Sequence, residues 1–409
     1  MSGLDGMRVT VVGAGAVGAA CAYELQAAGA QVTVIERGSG WAWACSYGNA
    51  GLIVPSHAGP LAARQDLPSA VRWLLRPDSP FSVRPRAAIV PWLARLAQST
   101  LPGPARRCQD VVRSLAVESL EMFKDYAATG IEFDLRHDGM LQVYETERAF
   151  EHGCEEAAAG AVAGLPGEVL DAAAARAAEP ALRGVAGAVR YPSEAQCEPQ
   201  RFVEAVGEAA LAKGAVLHDR TDVLSLRDAR VLTTHGPVEA DAIVVAAGAW
   251  TPQLVRELGP RLPVEAGKGY AIDLERTPQA PRTPLILHEA RVAVTPFADR
   301  VRLAGTLQLA GLDLSVDRRR VEAIWAAAQR QLTPESIGGE RREVWRGLRP
   351  CAPDGLPIVG RLPRRPEVIV ATGHAQLGLT LAPVTGRIVA ELLRGETRAD
   401  ARTLSPSRF

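Results

Sequence analysis

The sequence predicts an α/β protein of two interleaved domains, on three observations. A strand, a glycine turn, a helix and a second strand follow one another at the start of the chain. Two further blocks of strand, turn and helix occur at 201–250 and 367–394, and strand-like segments of a different layer, Tyr270–Leu274 and Val292–Leu303, lie between them. The 409 residues, 47% of them apolar, fit two or three globular domains and exclude a disordered or collagen-like chain.

The opening unit has the spacing of a dinucleotide-binding fold. Arg8–Val12 is a β-branched run, typical of a buried parallel strand. An alanine-rich helix follows as far as Ala28, with Gly29 as its C-cap, and Gln31–Glu36 indicates a second strand that ends in an acid. That acid comes 18 residues after Gly18, close to the ~20 expected of a carboxylate that binds a ribose.

Each glycine of the turn has its own physical function. Gly13 permits the tight turn, Gly15 lets the backbone approach a pyrophosphate, and Gly18 lets the helix pack on the strand. The N–H groups of the first helical turn, at Ala16 and Val17, offer the positive end of the helix dipole to phosphates. The pattern predicts a Rossmann-like dinucleotide site, but it does not choose between FAD and NAD.

Later segments follow the same alternation. The predicted elements are a helix at Arg113–Thr129, a helix at Phe202–Lys213 capped by Gly214, a strand at Asp241–Trp250 that runs into a glycine turn, a strand at Glu367–Ala371, and a helix from about Leu379 to Arg394 ended by Gly395. The dinucleotide-binding domain is therefore expected to be assembled from three separated pieces.

Charge and cysteine content exclude several classes of protein. The formal net charge of zero argues against a nucleic-acid binder. No uncharged stretch reaches the ~18–20 apolar residues that span a bilayer, and no secretory leader is visible. The six cysteines include no C-x-x-C pair, which favours reduced thiols and argues against a zinc site, as does the spacing of the histidines. We therefore expect a soluble, cytoplasmic protein without a metal.

An arginine-rich segment, 62–110, leaves two interpretations open. From Ser79 to Gln109 it has five arginines and no acid, with tryptophan and leucine residues interleaved. This composition suits peripheral contact with an anionic membrane surface on its inner face. We favour the alternative, an ordinary helical region whose arginines are solvated.

Four segments carry a resemblance to a known family. They are the opening unit 13–36, Ser46–Gly51 (SYGNAG), Gly347–Gly360 (GLRPCAPDGLPIVG) and Gly373–Gly386 (GHAQLGLTLAPVTG). Together they resemble the FAD-dependent D-amino acid oxidase superfamily, and within it the bacterial D-amino acid dehydrogenases. Residues 62–190 match only loosely.

The resemblance implies a discontinuous FAD-binding domain (1–62, 187–263 and 338–409) and a substrate-binding domain (63–186 and 264–337) built on a large antiparallel sheet. FAD would be held non-covalently, because the cysteine that bonds the flavin in sarcosine oxidases would fall near Gly347. The helix beginning near Leu379 would aim its positive end at the pyrimidine side of the flavin. The residues expected to bind the cofactor are Gly13, Gly15, Ala16, Val17, Gly18, Glu36, Arg37, Ser46, Asn49, Ala50, Gly51, Val223, Ala247, Gly248, Gly373, Gly378, Leu379 and Thr380.

The implied reaction is oxidative deamination of a D-amino acid, with the α-hydride passing to flavin N5 and the imino acid hydrolysed afterwards. Hydride loss does not require a primary amine, so D-proline and cis-4-hydroxy-D-proline are also candidate substrates. The alternatives are a glycine- or sarcosine-type amine oxidase and a non-catalytic nucleotide sensor. Whether oxygen or a quinone of the respiratory chain accepts the electrons stays open.

Five residues are candidates for the catalytic site. In the matching motif of relatives, the arginine equivalent to Arg349 binds the substrate carboxylate; Arg302 is the alternative here. The backbone carbonyl of Gln376 would contact the amine. The other three candidates have two interpretations each: His374 as a flavin contact or a turn residue, His57 at the substrate entrance or elsewhere, and Tyr270 in the pocket or capping a sheet.

Overall fold

The computed structural model describes residues 3–41, 45–57, 59, 61, 76, 79–162, 164–227, 229–259 and 261–409. Within these ranges the chain has the predicted mixed α/β fold, organised by two large sheets. Part of the arginine-rich segment, 62–75 and 77–78, lies outside the described residues.

The first sheet comes from three separated parts of the chain. Its six strands are β1 (Arg8–Val12), β2 (Gln31–Ile35), β9 (Val216–His218), β13 (Ala242–Val245), β19 (Ile358–Leu362) and β20 (Arg365–Thr372). Their order is β19–β20–β13–β1–β2–β9, and all pairs are parallel except that of the edge strand β19. Because parallel strands end at one edge, the turns after β1, β2, β13 and β20 meet there.

Helices pack on both sheets. Those of the described residues are α1 (Ala16–Ala27), α2 (Val90–Ser99), α3 (Pro102–Ala128), α4 (Glu147–Val162), α5 (Ala172–Ala178), α6 (Pro199–Ala212), α7 (Thr251–Leu254), α8 (Arg318–Gln331), α9 (Ala382–Arg394) and α10 (Ala401–Leu404). The alanine-rich α1 packs against both α6 and α9. A Cβ on Gly386 of α9 would lie 2.6 Å from the backbone oxygen of Ala20, so glycine permits this close approach.

The second sheet has nine strands. They are β4 (Phe81–Val83), β5 (Met140–Tyr144), β6 (Glu168–Asp171), β7 (Gly187–Tyr191), β14 (Glu265–Glu275), β15 (Leu285–Leu287), β16 (Val292–Pro296), β17 (Arg300–Leu309) and β18 (Arg341–Cys351). The order is β18–β14–β17–β16–β15–β5–β7–β6, with β4 beside β17. Pairing is antiparallel except between β5 and β15 and between β4 and β17.

Two small sheets complete the fold. They are formed by β10 (Val223–Arg227), β11 (Arg230–Thr233) and β12 (Gly236–Glu239), and by β3 (Leu52–Ile53) and β8 (Ala195–Gln196). The second of these pairs the segment after the predicted flavin-edge loop with residues far along the chain.

Several predicted boundaries were wrong. The strands β7 and β18 were placed in the FAD-binding domain, but both pair within the large sheet. Their backbone partners lie far away in sequence, so no local pattern marks them. The last long helix begins at Ala382 rather than near Leu379, with Pro383 in its first turn. The helix predicted from Arg113 begins at Pro102.

Among the described residues, no helix is both long enough and apolar enough to span a membrane.

Candidate active site

A cavity of about 1630 Å³ lies where the turns of the first sheet face the second sheet. Single-ligand pockets are typically ~300–1,000 Å³. This cavity is therefore large enough for a dinucleotide and a second, smaller molecule. Residues of both sheets line it, which places any substrate between the two layers.

The glycine turn after β1 forms one end of this cavity. Gly13 has a φ of +105°, and a Cβ there would lie 2.7 Å from the oxygen of Ala246. A Cβ on Gly18 would overlap the oxygen of Gly13, so the helix can sit this close to the turn only with glycine. The backbone is thereby exposed to a ligand over the first turn of α1, which suits a pyrophosphate.

Glu36 directly follows β2, and its buried side chain also lines the cavity. Its carboxylate accepts hydrogen bonds from the N–H groups of Ala14 (2.9 Å) and Gly38 (2.7 Å). A carboxylate has about four acceptor positions, so two remain for ribose hydroxyls. The neighbouring Arg37 stacks its guanidinium on the ring of Trp250, 3.9 Å from the centroid.

The predicted flavin-edge loop, residues 45–51, is attached to the dinucleotide turn. The hydroxyl of Ser46 accepts from the N–H of Ala16 at 3.0 Å. Asn49 turns its side-chain oxygen back to the N–H of Gly51 at 2.8 Å. Gly51 has a φ of +77° and packs against the carbonyl of Cys197, which again requires glycine.

Arg302 supports the same loop from β17. Its guanidinium makes a bidentate pair with Asp273, with N···O distances of 2.7 and 2.8 Å, and it also donates to the carbonyl oxygens of Tyr47 (2.8 Å) and Asn49 (2.9 Å). The residue is only 2% exposed. The alternative that Arg302 anchors a substrate carboxylate is not supported, because its donors already have these partners and it does not line the cavity.

Arg349 is the other candidate for binding the substrate carboxylate, and its surroundings differ from those of Arg302. It lines the cavity and crosses over Gly269, where any Cβ would overlap the guanidinium. One Nη donates to the carbonyl of Thr306 at 2.7 Å. Within the described part of the chain, no carboxylate lies within 4.0 Å of this guanidinium. A positive charge with donors to spare therefore faces the cavity.

The turn between β20 and α9 brings His374 and Gln376 to the cavity wall. His374 Nε2 lies 2.9 Å from the hydroxyl of Thr385, which itself donates to the carbonyl of Leu381 at 2.7 Å. The hydroxyl has one proton, so His374 is the donor and its Nδ1 keeps a lone pair. Burial lowers the pKa of His374 to about 4, and the ring is neutral.

Tyr270 does not reach the cavity. Its side chain is 1% exposed; the hydroxyl donates to Gln308 Oε1 at 3.0 Å and accepts from the N–H of Asp317 at 3.2 Å. Side chains alternate along a strand, so Tyr270 points away from the face on which Gly269 meets Arg349. The pocket role is not supported; the hydroxyl instead ties β14 and β17 to the start of α8.

His57 lies at another part of the wall. Its Nδ1 is 3.2 Å from the hydroxyl of Ser56, and its ring is edge-on to Tyr191. Burial, with the nearby positive charge of Arg291, lowers the pKa of His57 to about 4. The sequence analysis missed the surrounding residues because strand pairing alone brings them together.

The residues predicted to form the site fall into two groups, those that line the cavity and those that do not. Those that line the cavity are Gly13, Gly15, Ala16, Val17, Glu36, Arg37, Ser46, Asn49, Ala50, His57, Val223, Ala247, Gly248, Arg349, His374, Gln376, Gly378, Leu379 and Thr380. Gly18, Gly51 and Gly373 lie just behind this surface, and Gly373 makes its turn with a φ of +81°. Over the described ranges, no group of three or more His, Cys, Asp or Glu side chains is arranged to hold a metal ion.

Comparison with known proteins identifies the family. Residues 8–392 match the DAO family, described as FAD dependent oxidoreductase. The chain belongs to this family. The predicted family, the fold class and FAD as cofactor are confirmed, and the protein is an FAD-dependent oxidoreductase.

Its relatives agree with one another. A D-amino acid dehydrogenase of Cereibacter sphaeroides is 35% identical over 406 residues, covering 95% of this chain and 92% of its own. One of Methylobacterium radiotolerans is 34% identical, covering 95% and 96%. Among solved structures, glycine oxidase from Geobacillus kaustophilus has a TM-score of 0.78 and 25% identity, covering 98% and 99%.

The residues present fit FAD. The side-chain-free turn at Gly13 and the carboxylate of Glu36 suit a pyrophosphate and a ribose, and the loop 45–51 is braced against both sheets. When bound, FAD supplies the hydride acceptor. The protein supplies binding, orientation and shielding from water.

Proposed function

We propose that this FAD-dependent oxidoreductase oxidises D-amino acids at the α-carbon, giving an imino acid that hydrolyses to a 2-oxo acid. The observation that carries the proposal is the guanidinium of Arg349, which faces the cavity without a carboxylate partner among the described residues. A planar guanidinium binds a carboxylate through two parallel hydrogen bonds. The two D-amino acid dehydrogenases at 34–35% identity support the substrate class.

In this mechanism the protein acts mainly by orientation. Arg349 holds the α-carboxylate, and the backbone carbonyl of Gln376 accepts from the amine. Ala293 and Ala304 also line the cavity, and their small side chains leave room for the substrate. A substrate bound as the neutral amine needs no strong general base, and positioning the α-C–H bond supplies most of the rate enhancement.

Secondary amines belong to the proposed substrate range. Loss of hydride from the α-carbon is available to D-proline and cis-4-hydroxy-D-proline as well as to primary D-amino acids. A glycine- or sarcosine-type oxidase is the second candidate, favoured by the similarity to glycine oxidase across the whole chain.

The test is anaerobic bleaching of the purified yellow protein. The panel contains D-alanine, D-proline, cis-4-hydroxy-D-proline, glycine and sarcosine, with L-alanine and L-proline as stereochemical controls. Bleaching by the D-amino acids but not by their L-enantiomers supports the proposal. Bleaching by glycine or sarcosine alone, or by the L-enantiomers, contradicts it.

FAD is proposed to be non-covalent. Gly347, at the position of the covalent cysteine, packs against the indole ring of Trp345, where a larger side chain would overlap the ring. Acid precipitation should therefore release the flavin into the supernatant. Flavin retained in the pellet contradicts this part of the proposal.

The electron acceptor is proposed to be oxygen or a quinone of the respiratory chain, reached at the inner face of the cytoplasmic membrane. The segment 62–110 would make the peripheral contact. In its described part, Val90 is 61% and Leu101 is 52% exposed, and the two helices that they adjoin contain Arg95, Arg106 and Arg107. Oxygen uptake compared with reduction of a soluble quinone identifies the acceptor. Sedimentation with anionic and with neutral vesicles tests the contact, and equal partition to both contradicts it.

A further inference from the structure

Two sets of hydrogen bonds lie at one wall of the cavity. Gln142 of β5 donates from Nε2 to Nδ1 of His288 at 2.7 Å, and its side chain, like that of His57, lines the cavity. His57 Nδ1 meets the hydroxyl of Ser56 at 3.2 Å, and the N–H of Ser56 donates to Glu194 Oε1 at 2.8 Å. The Nε2 end of the Gln142 amide is therefore held by His288.

The position of Gln142 follows from strand register. Gln142 pairs with Ile286, Ile286 with Ala293, and Ala293 with Ala304, and all four residues line the cavity. This row crosses three strand spacings, about 14 Å at the usual separation between strands. Apart from Gln142, the row consists of two alanines and one isoleucine. The cavity floor along the row is therefore apolar and ends at the amide of Gln142.

Arg349 lies on β18, on the other side of β17 from Gln142. Its guanidinium is bound to the carbonyl of Thr306, two residues beyond Ala304 on β17. One end of the floor thus offers a site for an anion and the other a hydrogen-bonding amide. A substrate with its carboxylate on Arg349 would reach Gln142 only through a long side chain, because β17 and β5 are three strand spacings apart.

Burial at the Gln142 end disfavours a charged group. The amide itself is neutral, and beside its bond to His288 it has a second N–H and a carbonyl oxygen that can accept. The depressed pKa of the adjacent His57 shows that burial there opposes a gain of charge. A neutral group that both donates and accepts is the best complement.

We propose that Gln142 determines substrate specificity: its amide receives the uncharged polar end of a D-amino acid side chain, as in D-glutamine, while Arg349 holds the α-carboxylate. This rests on the proposed oxidation of D-amino acids. It adds a substrate class, long side chains ending in an amide, and a residue that selects them.

The first experiment uses the unmodified holoenzyme. We expect kcat/KM for D-glutamine to exceed that for D-norleucine, an apolar side chain of similar length, by about tenfold, or about 1.4 kcal/mol, because only D-glutamine can form hydrogen bonds with the amide. D-Glutamate and D-lysine, with charged ends, should both react more slowly than D-glutamine. Equal values for D-glutamine and D-norleucine overturn the proposal.

The second experiment uses Gln142→Met, with Gln253→Met as the matched control. Gln253 also lines the cavity, but beside Trp250 at the dinucleotide end. The preference for D-glutamine over D-norleucine should fall to near unity in Gln142→Met and persist in Gln253→Met. An unchanged preference in Gln142→Met overturns the proposal, and if that variant does not retain its flavin the first experiment decides alone.

These outcomes are separate from failure of the proposed function. If D-alanine does not bleach the flavin, oxidation of D-amino acids itself is wrong. If D-alanine reacts but D-glutamine has no advantage over D-norleucine, only the specificity of Gln142 is wrong.

Discussion

The buried guanidinium of Arg302 donates to the backbone carbonyl of Asn49 at 2.9 Å, across more than 250 residues of sequence. Asp273 holds the same guanidinium through two bonds, and Asn49 in turn orders the N–H of Gly51. The large sheet thus positions the loop expected at the edge of the flavin. We therefore expect FAD binding to depend on the large sheet through this arginine.

Replacing Arg302 by Met should weaken FAD binding and lower stability. It leaves Asp273 and two loop carbonyls without their main partner, and breaking a buried ion pair costs about 3–5 kcal/mol. FAD dissociation, followed by flavin fluorescence, and the free energy of unfolding measure the two effects. Arg342→Met, which changes a partly exposed arginine paired with Asp299, is the control. FAD retention equal in both variants would show that the loop does not depend on Arg302.

Replacing Glu36 by Ala should weaken FAD retention by roughly ten- to a hundredfold, because hydrogen bonds to a charged acceptor are worth about 1.5–3 kcal/mol. The N–H groups of Ala14 and Gly38 would also lose their acceptor. Occupancy after extensive dialysis measures the effect. Glu257→Ala, which removes an exposed carboxylate, should retain its FAD. Unchanged occupancy in the Glu36 variant would argue against a ribose contact.

Replacing Arg349 by Leu should lower kcat/KM for a D-amino acid at least about a hundredfold, since a charge-assisted bidentate pair contributes about 3–5 kcal/mol to transition-state binding. Arg349→Lys keeps the charge but not the planar fork, so an intermediate value is expected. The flavin spectrum should survive in both. Activity of the leucine variant within threefold of the parent would place the carboxylate anchor elsewhere.

His374 should make the protein sensitive to acid. Its pKa falls from 6.5 to about 4 on folding, so the unfolded chain binds a proton first as the pH drops. The stabilisation is complete above pH 6.5 and is lost as the pH falls towards 4, by on the order of 3 kcal/mol. His374→Gln, which can still donate to Thr385, should have a shallower loss of unfolding free energy between pH 7.5 and 5. His57 titrates in the same direction, so some slope remains; an identical slope in both proteins would contradict the prediction.

Glu194 should have the opposite dependence. Burial raises its pKa to about 7 despite the hydrogen bonds from Ser56, so the folded state holds a proton that the unfolded state has released. Its stabilising contribution is complete below about pH 4.5 and is lost as the pH rises through 7. Glu194→Gln should therefore be more stable than the parent at pH 8, by on the order of 3 kcal/mol, with a smaller difference at pH 5. Denaturant unfolding at both pH values tests this, and a pH-independent difference would count against it.

The predictions that rest on residues close together in the sequence were the reliable ones. The turn at Gly13, the helix after it and the acid at Glu36 lie within about one βαβ unit, so local spacing was enough to predict a dinucleotide site. The motif containing Arg349 identified the family together with the turn at His374, and FAD as the cofactor followed from that resemblance. The strands β7 and β18 were assigned to the wrong layer, since pairing partners are not encoded near a strand.

By itself, the sequence determined the family, the α/β fold, the cofactor and a short list of polar residues, because each depends on neighbours within a few turns of chain. Only the tertiary structure decided what those residues do. Because side chains alternate along β14, Tyr270 points away from the cavity. The register of β14 with β17 places Asp273 beside Arg302, and this ion pair occupies the arginine that was the alternative anchor for the substrate. The parallel pairing of β5 with β15 brought Gln142 to His288. Contacts of this kind depend on the register between distant strands, and a shift of one residue would reverse every face.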